Sequence, residues 1–260
     1  LESDLSMARR RQKFLFKWGA IALSLVALYL LAFIYVIDRR PFVEWTLIKG
    51  APDEVVASSQ LIKMPDGKVI LINAGQASGS LLPFLKKQKI KDIDLILLTS
   101  TLSRHISALE EMVVTGVRIK EIKTNPQSQK SPAWEEIQNK LLNRGVKIQS
   151  VTQKEKLYAI AKTELRAISS HDNSMLIQLK HGVNSLLLVM GETSGFIEKL
   201  TPESCEELKS DILINYSEPQ SDSQKLKIVE CSRPSLDLSR ELGTFKILLK
   251  GDSFRWKRGR

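Results

Sequence analysis

The feature that most constrains this chain is residues 18–37, WGAIALSLVALYLLAFIYVI, twenty residues without a charge. At 1.5 Å rise per residue, a helix of that length covers about 30 Å, the thickness of a bilayer's hydrocarbon core. A helix buried in a soluble core normally keeps one polar face, and this run has none. Trp18, Tyr29 and Tyr35 include residues suited to the membrane interface. A signal peptide is the competing reading, but its apolar region is about 7–15 residues long and ends in a small-x-small cleavage site. Tyr35, Val36, Ile37 and Asp38 offer no such site. The sequence predicts an uncleaved single-pass anchor. Arg9, Arg10, Arg11, Lys13 and Lys17 precede the run, and only Arg39 and Arg40 follow it closely. That asymmetry puts the N-terminus in the cytoplasm and the rest of the chain across the cytoplasmic (inner) membrane.

The whole chain has 260 residues, 39 Lys plus Arg, 29 Asp plus Glu and a net charge of +10. The first 40 residues hold seven of those cations and three of the acids, so part of the basic balance is a topology signal and not a ligand surface. At 43% hydrophobic the chain is neither disordered nor collagen-like. Two cysteines exclude a disulfide scaffold and a Cys-rich zinc protein. Cys205 and Cys231 either pair in an oxidising compartment or remain two buried thiols.

The expected organisation is a basic N-terminal segment (1–17), the membrane helix (18–37), a linker (38–53), one α/β domain (54–250) and a basic tail (251–260). Residues 54–64 and 69–73 flank the turn Pro65-Asp66-Gly67-Lys68 and read as a hairpin. Residues 94–99 (DLILLT) read as a fully buried central strand. Residues 131–144 read as a helix: Ser131 caps it, Pro132 opens it, Glu135 and Glu136 favour its positive end, and Trp134, Ile137 and Leu141 face the core. Further helices are expected at 78–88, 105–114, 192–208 and 236–242. Further strands are expected at 118–122, 146–150, 156–160, 163–168, 175–180, 185–190, 212–215, 226–230 and 245–250. Two β-rich halves with helices after some strands predict a layered sandwich with the helices outside.

The segment MPDGKVILINAG, followed by LLPFLKKQKIKDIDLILLTSTLSRHISAL, resembles the metallo-β-lactamase fold, and within it the hydrolase domains of ComEC-type DNA-uptake proteins. Asn173-Ser174-Met175, Gly191-Glu192 and Asp211-Ile212-Leu213 match later stations of that pattern, in order and spacing, over roughly residues 54–250. The resemblance implies an αββα sandwich and, in intact members, a site for one or two divalent metals held by imidazoles and carboxylates. The ligand positions depart from the pattern. Thr99 matches the metal loop, but Ser100, Leu102 and Arg104 stand where two ligands and an aspartate are expected, and only His105 is retained. Asn73 replaces the aspartate of the first strand, Glu192 replaces that of the Gly-Asp pair, and Asn215-Tyr216-Ser217 replaces the late histidine loop. A fixed guanidinium at Arg104 would repel a metal. His105, His171 and Glu192 could at most form a reduced one-metal site.

The residues therefore predict a membrane-anchored pseudoenzyme without a cofactor, binding a protein partner at the cell envelope. Two alternatives follow from the resemblance: a DNA-binding accessory of a DNA-uptake system, and a residual metal-dependent hydrolase. Lys86, Lys87 and Lys89, and Arg255, Lys257 and Arg258, are the candidate contacts to a polyanion. Ser103, Ser169, Ser170 and His171 lack a nucleophile elbow, and no phosphate-binding glycine loop occurs.

Overall fold

The computed structural model describes residues 18, 23–31, 42–48, 59–76, 79–126, 128, 131–171, 174–191, 202–217, 229–232, 234–237 and 245–258. Two units divide the chain at residue 41. In the first, residues 23–31 are helical, and Leu23, Leu25, Leu28, Tyr29 and Leu31 are each more than 60% exposed. Among the described residues no helix is long and apolar enough to cross a membrane. Residues 19–22 and 32–37 of the expected span lie outside the described residues.

The second unit is built from two facing sheets. One sheet runs, in spatial order, β14 (Ser253–Arg258), β13 (Phe245–Lys250), β1 (Val43–Ile48), β2 (Ser59–Lys63), β3 (Val69–Ile72), β4 (Asp92–Leu98), β5 (Arg118–Thr124) and β6 (Lys147–Ser150). The other runs β12 (Leu236–Asp237), β11 (Ile212–Ser217), β10 (Asn184–Gly191), β9 (Ser174–His181), β8 (Thr163–His171) and β7 (Lys156–Ile160). Helices α1 (Leu81–Lys87), α2 (Ser103–Val114) and α3 (Pro132–Leu142) cover the first sheet, and α4 (Pro202–Leu208) covers the second.

The layering follows from the period of two along each strand. In β10, Leu186, Leu188 and Met190 point between the sheets, while Leu187 and Val189 point toward α4. In β3, Ile70 and Ile72 join the inter-sheet core, while Leu71 joins α1, α2 and α3 in the helix-side core. Strand β4 is buried on both faces, which is why it reads as an unbroken apolar run. The buried Trp45 indole donates to Gln60 Oε1 at 2.9 Å, so its polar edge is satisfied inside the core. In α3 the Ser131 hydroxyl accepts from Trp134 N at 3.2 Å, and Trp134, Ile137 and Leu141 are buried, as the spacing predicts.

The sandwich is larger than the expected 54–250. Residues 43–48 are not linker: Val43, Trp45 and Leu47 are buried in the inter-sheet core, and β1 pairs with both β2 and β13. Residues 253–258 are not a tail: they pair along β13, and Phe254 packs on the core. Two other elements differ. Residues 229–232 are helical where the end of a strand was expected, and residues 236–237 are a strand where a helix was expected. Short polar segments at a sheet edge carry too little periodic signal to separate these states. Cys205 and Cys231 form a disulfide, with Cα atoms 4.6 Å apart, fastening α4 to the 229–232 turn.

Candidate functional site

The parallel strands β3, β4 and β5 give the sandwich two chemically distinct ends. Loops leaving the carboxyl ends of strands are where α/β folds place their chemistry. Here that end gathers Asn73 after β3, residues 99–102 after β4, Asn125 after β5 and Ser174 at the start of β9.

These residues form a closed network of neutral hydrogen bonds. Asn73 is fully buried with φ of 54°, a left-handed conformation that Asn tolerates better than most side chains. Its Nδ2 donates to Thr99 Oγ1 at 2.9 Å, and its Oδ1 accepts from Thr99 N at 2.9 Å. Asn125 Nδ2 donates to the carbonyls of Thr99 at 3.1 Å and Ser174 at 3.0 Å, tying the two sheets together. Thr101 N donates to Ser128 Oγ at 2.8 Å, and Ser131 Oγ donates to the Thr101 carbonyl at 2.9 Å. Each buried polar atom named here is paired, which is what makes such a cluster tolerable in a core.

Ser100 is fully buried beside Thr99, and its Oγ accepts from Leu102 N at 3.2 Å. Leu102 is the residue before α2, where its backbone accepts from His105 N at 2.8 Å. Arg104 is exposed on the first turn of α2. The His105 carbonyl accepts from Ala74 N at 2.8 Å and Gly75 N at 3.1 Å, so this residue holds the loop after β3 through its main chain. Its imidazole Nδ1 is buried and has no hydrogen-bond partner among the described residues. Burial, reinforced by Arg104, lowers the His105 pKa to about 4, so the ring is neutral at pH 7. Glu192 and the side chain of His171 lie outside the described residues.

A divalent ion at this end would need several deprotonated His, Cys or carboxylate donors converging on one point. Among the described residues no group of three or more His, Cys, Asp or Glu does so. The donor set that is described does not fit a metal: amides and hydroxyls are committed to one another, and the helix-start positions carry Leu102 and Arg104.

The two basic clusters lie apart. Lys86 and Lys87 are exposed on the last turn of α1 and Lys89 just beyond it, at the strand-start end. Arg255, Lys257 and Arg258 lie on the edge strand β14, with β13, β1 and β2 between that strand and β3. Sequence reasoning missed Asn125 as a site residue, although Asn125-Pro126 at a strand end marked the loop.

Two facing sheets, helices on both outer faces and loops gathered at one strand end define the metallo-β-lactamase fold. Solved structures agree. The metallo-β-lactamase fold protein YhfI from Bacillus subtilis matches at 11% identity over 79% of this chain and 99% of its own, with a TM-score of 0.50. Zn(2+)-bound PqqB from Methylobacterium extorquens matches at 12% identity over 67% of this chain and 72% of its own, also at 0.50. At such identities the likeness is one of fold alone. No family model matches the chain, and no curated protein does.

Proposed function

We propose that this chain is a membrane-anchored protein whose metallo-β-lactamase-fold domain acts as a binding or scaffold component at the cell envelope, not as a metal hydrolase. The neutral network joining Asn73, Thr99, Asn125 and Ser174 carries this reading. It uses amide and hydroxyl groups where metal chemistry needs imidazole, thiolate or carboxylate. Residues 18–37 support the anchor by length and by lack of charge. The Cys205–Cys231 disulfide suits a domain on the oxidising side of the membrane.

The test is the metal content of the full chain purified from membranes of zinc-supplemented cells. This reading expects far less than one ion per chain. A stoichiometric ion that disappears in His105→Ala would overturn it in favour of a residual hydrolase. The unpartnered Nδ1 of His105 is the one observation favouring that second reading. A DNA-uptake accessory, suggested by the ComEC-type resemblance, draws on the basic surface at the strand-start end. It expects a salt-dependent mobility shift of duplex or single-stranded DNA.

A further inference from the structure

The end of the sandwich opposite the candidate site has an unusual surface. The strand starts, the β2–β3 turn, the loops before β4, β5 and β6, and the β9–β10 and β13–β14 turns all lie there. The last two turns touch, since Val183 N donates to the Gly251 carbonyl at 2.8 Å. Of the six large apolar side chains that stand exposed on the described sandwich, five lie at this end. Val183 is 78% exposed at the tip of the β9–β10 turn, and Val114 is 75% exposed at the end of α2. Leu142 ends α3, Ile160 ends β7, and Phe42 precedes β1; these three are 38–48% exposed. Turn tips and helix ends ordinarily carry polar residues, so five exposed apolar side chains at one end set it apart from the other.

The same end is basic. A groove of about 1180 Å³ runs across it, with seven Lys or Arg and three Asp along its walls. All three acids are already paired. Asp92 accepts two bonds from Arg118, at 2.5 and 2.9 Å; Asp94 accepts from Lys120 at 2.6 Å; Asp66 lies 3.4 Å from Lys68. Burial alone would raise the Asp94 pKa, but its bonds from Lys120 and Val69 N hold it below the usual range. Lys89, Lys91, Arg144, Lys162 and Lys250 are exposed at this end and make no ion pair among the described residues. They face solvent as unneutralised positive charge.

Chain connectivity bears on what such a surface would meet. Phe42 begins the sandwich at this end, and residues 38–41 alone separate it from the uncharged run 18–37. A linker that short reaches at most about 18 Å even when fully extended. We infer that the strand-start end of the domain docks on an anionic bilayer surface. Val183, Val114 and Leu142 enter the headgroup boundary while the surrounding lysines and Arg144 hold lipid phosphates. Apolar tips ringed by cations are the combination that binds interfaces of this kind. The inference deepens the proposed function and rests on its membrane anchor. It adds that the candidate-site end faces away from the membrane, toward partners.

The full chain carrying Val183→Cys, labelled with an environment-sensitive fluorophore, tests this in vesicles of phosphatidylcholine with or without phosphatidylglycerol. Emission shifts to the blue, and nitroxide lipids quench it, in the vesicles containing phosphatidylglycerol. Both effects are lost at high salt or when Lys89→Glu and Lys91→Glu are added. A label at Glu135→Cys, exposed at the other end, stays water-like throughout. A water-like Val183 label on protein that resists carbonate extraction overturns the docking and leaves the anchor standing. Extraction by carbonate with a blue-shifted Val183 label removes the anchor and leaves the docking standing. Duplex DNA binding that Lys89→Glu and Lys91→Glu abolish, with the Val183 label water-like, assigns this end to nucleic acid and overturns the proposal.

Discussion

Asn73 and Thr99 close on each other across two neighbouring strand ends: the Asn73 amide donates to the Thr99 hydroxyl, and its carbonyl oxygen accepts the Thr99 backbone N–H. Both residues are fully buried, so losing one side leaves a polar atom stranded in the core. Asn73→Ala removes the lock and forces Ala into a left-handed backbone. The expected loss of stability is about 2–3 kcal/mol by urea denaturation. Thr99→Val keeps the shape and loses only the hydroxyl, for about 1 kcal/mol. Equal, negligible effects from both would mean that the network does not hold the two loops.

His105 gives the fold a pH dependence with a defined window. Its folded pKa of about 4 lies below the ordinary 6.5, so between these values the unfolded chain binds more protons than the folded one. Stability is full above pH 6.5 and falls as the pH drops toward 4, by up to about 3 kcal/mol from this group. The carboxylates whose pKa values are lowered, such as Asp92 and Asp94, lose their contribution only below about pH 4.5. Between pH 6.5 and 5 the histidines titrate and these carboxylates do not, so the part of the denaturation profile that His105→Gln flattens there belongs to His105.

Gly182 sits where no other residue fits. A Cβ built there would lie 2.1 Å from the Gly251 carbonyl oxygen, and φ is +63°. Gly182→Ala pushes apart the two turns that join the sheets at the strand-start end. The cost is more than about 1 kcal/mol by thermal unfolding. Gly67→Ala, in a turn with open space around it, provides the comparison, because it carries the backbone strain without the collision.

The disulfide between Cys205 and Cys231 spans 26 residues of sequence. In the chain-entropy picture a loop of that size is worth about 3.5 kcal/mol. A reducing agent is expected to lower the melting temperature of the full chain, and Cys205→Ser with Cys231→Ser to lower it equally. Agreement of the two ties the loss to this bond.

Ser131 joins a helix cap to the candidate site, accepting from Trp134 N while donating to the Thr101 carbonyl. Ser131→Ala is expected to cost about 0.5–2 kcal/mol, with faster amide exchange at Thr101 and Leu102 than at the far end of α3.

Much of this was legible before any coordinates. The cap at Ser131, the core face of α3, the hairpin at Pro65-Asp66-Gly67-Lys68 and the buried β4 follow from local rules that tertiary structure did not override. Strand β1 was missed because Pro41 and Ala51-Pro52-Asp53 frame it like a linker, although Val43, Trp45 and Leu47 alternate with Glu44 and Thr46. Strand β14 was missed because its cations concealed the alternation of Phe254 and Trp256. At the site, the departures from the ligand pattern are a reading of residue identities alone. The pairing of Asn73 with Thr99 and of Asn125 with Ser174 needed distances, since residues 26 and 49 positions apart give no local sign of contact.

The place of β1 has a consequence for synthesis. This strand bonds on one side to β2, nearby in sequence, and on the other to β13, some two hundred residues later. As the polypeptide emerges N-terminus first, Val43–Ile48 must wait with one bare flank until residues 245–250 leave the ribosome. Any nascent form stalled before that point offers the bare flank of an apolar strand to its neighbours; the β13–β14 hairpin covers that flank and leaves the cation-rich β14 as the edge in its place.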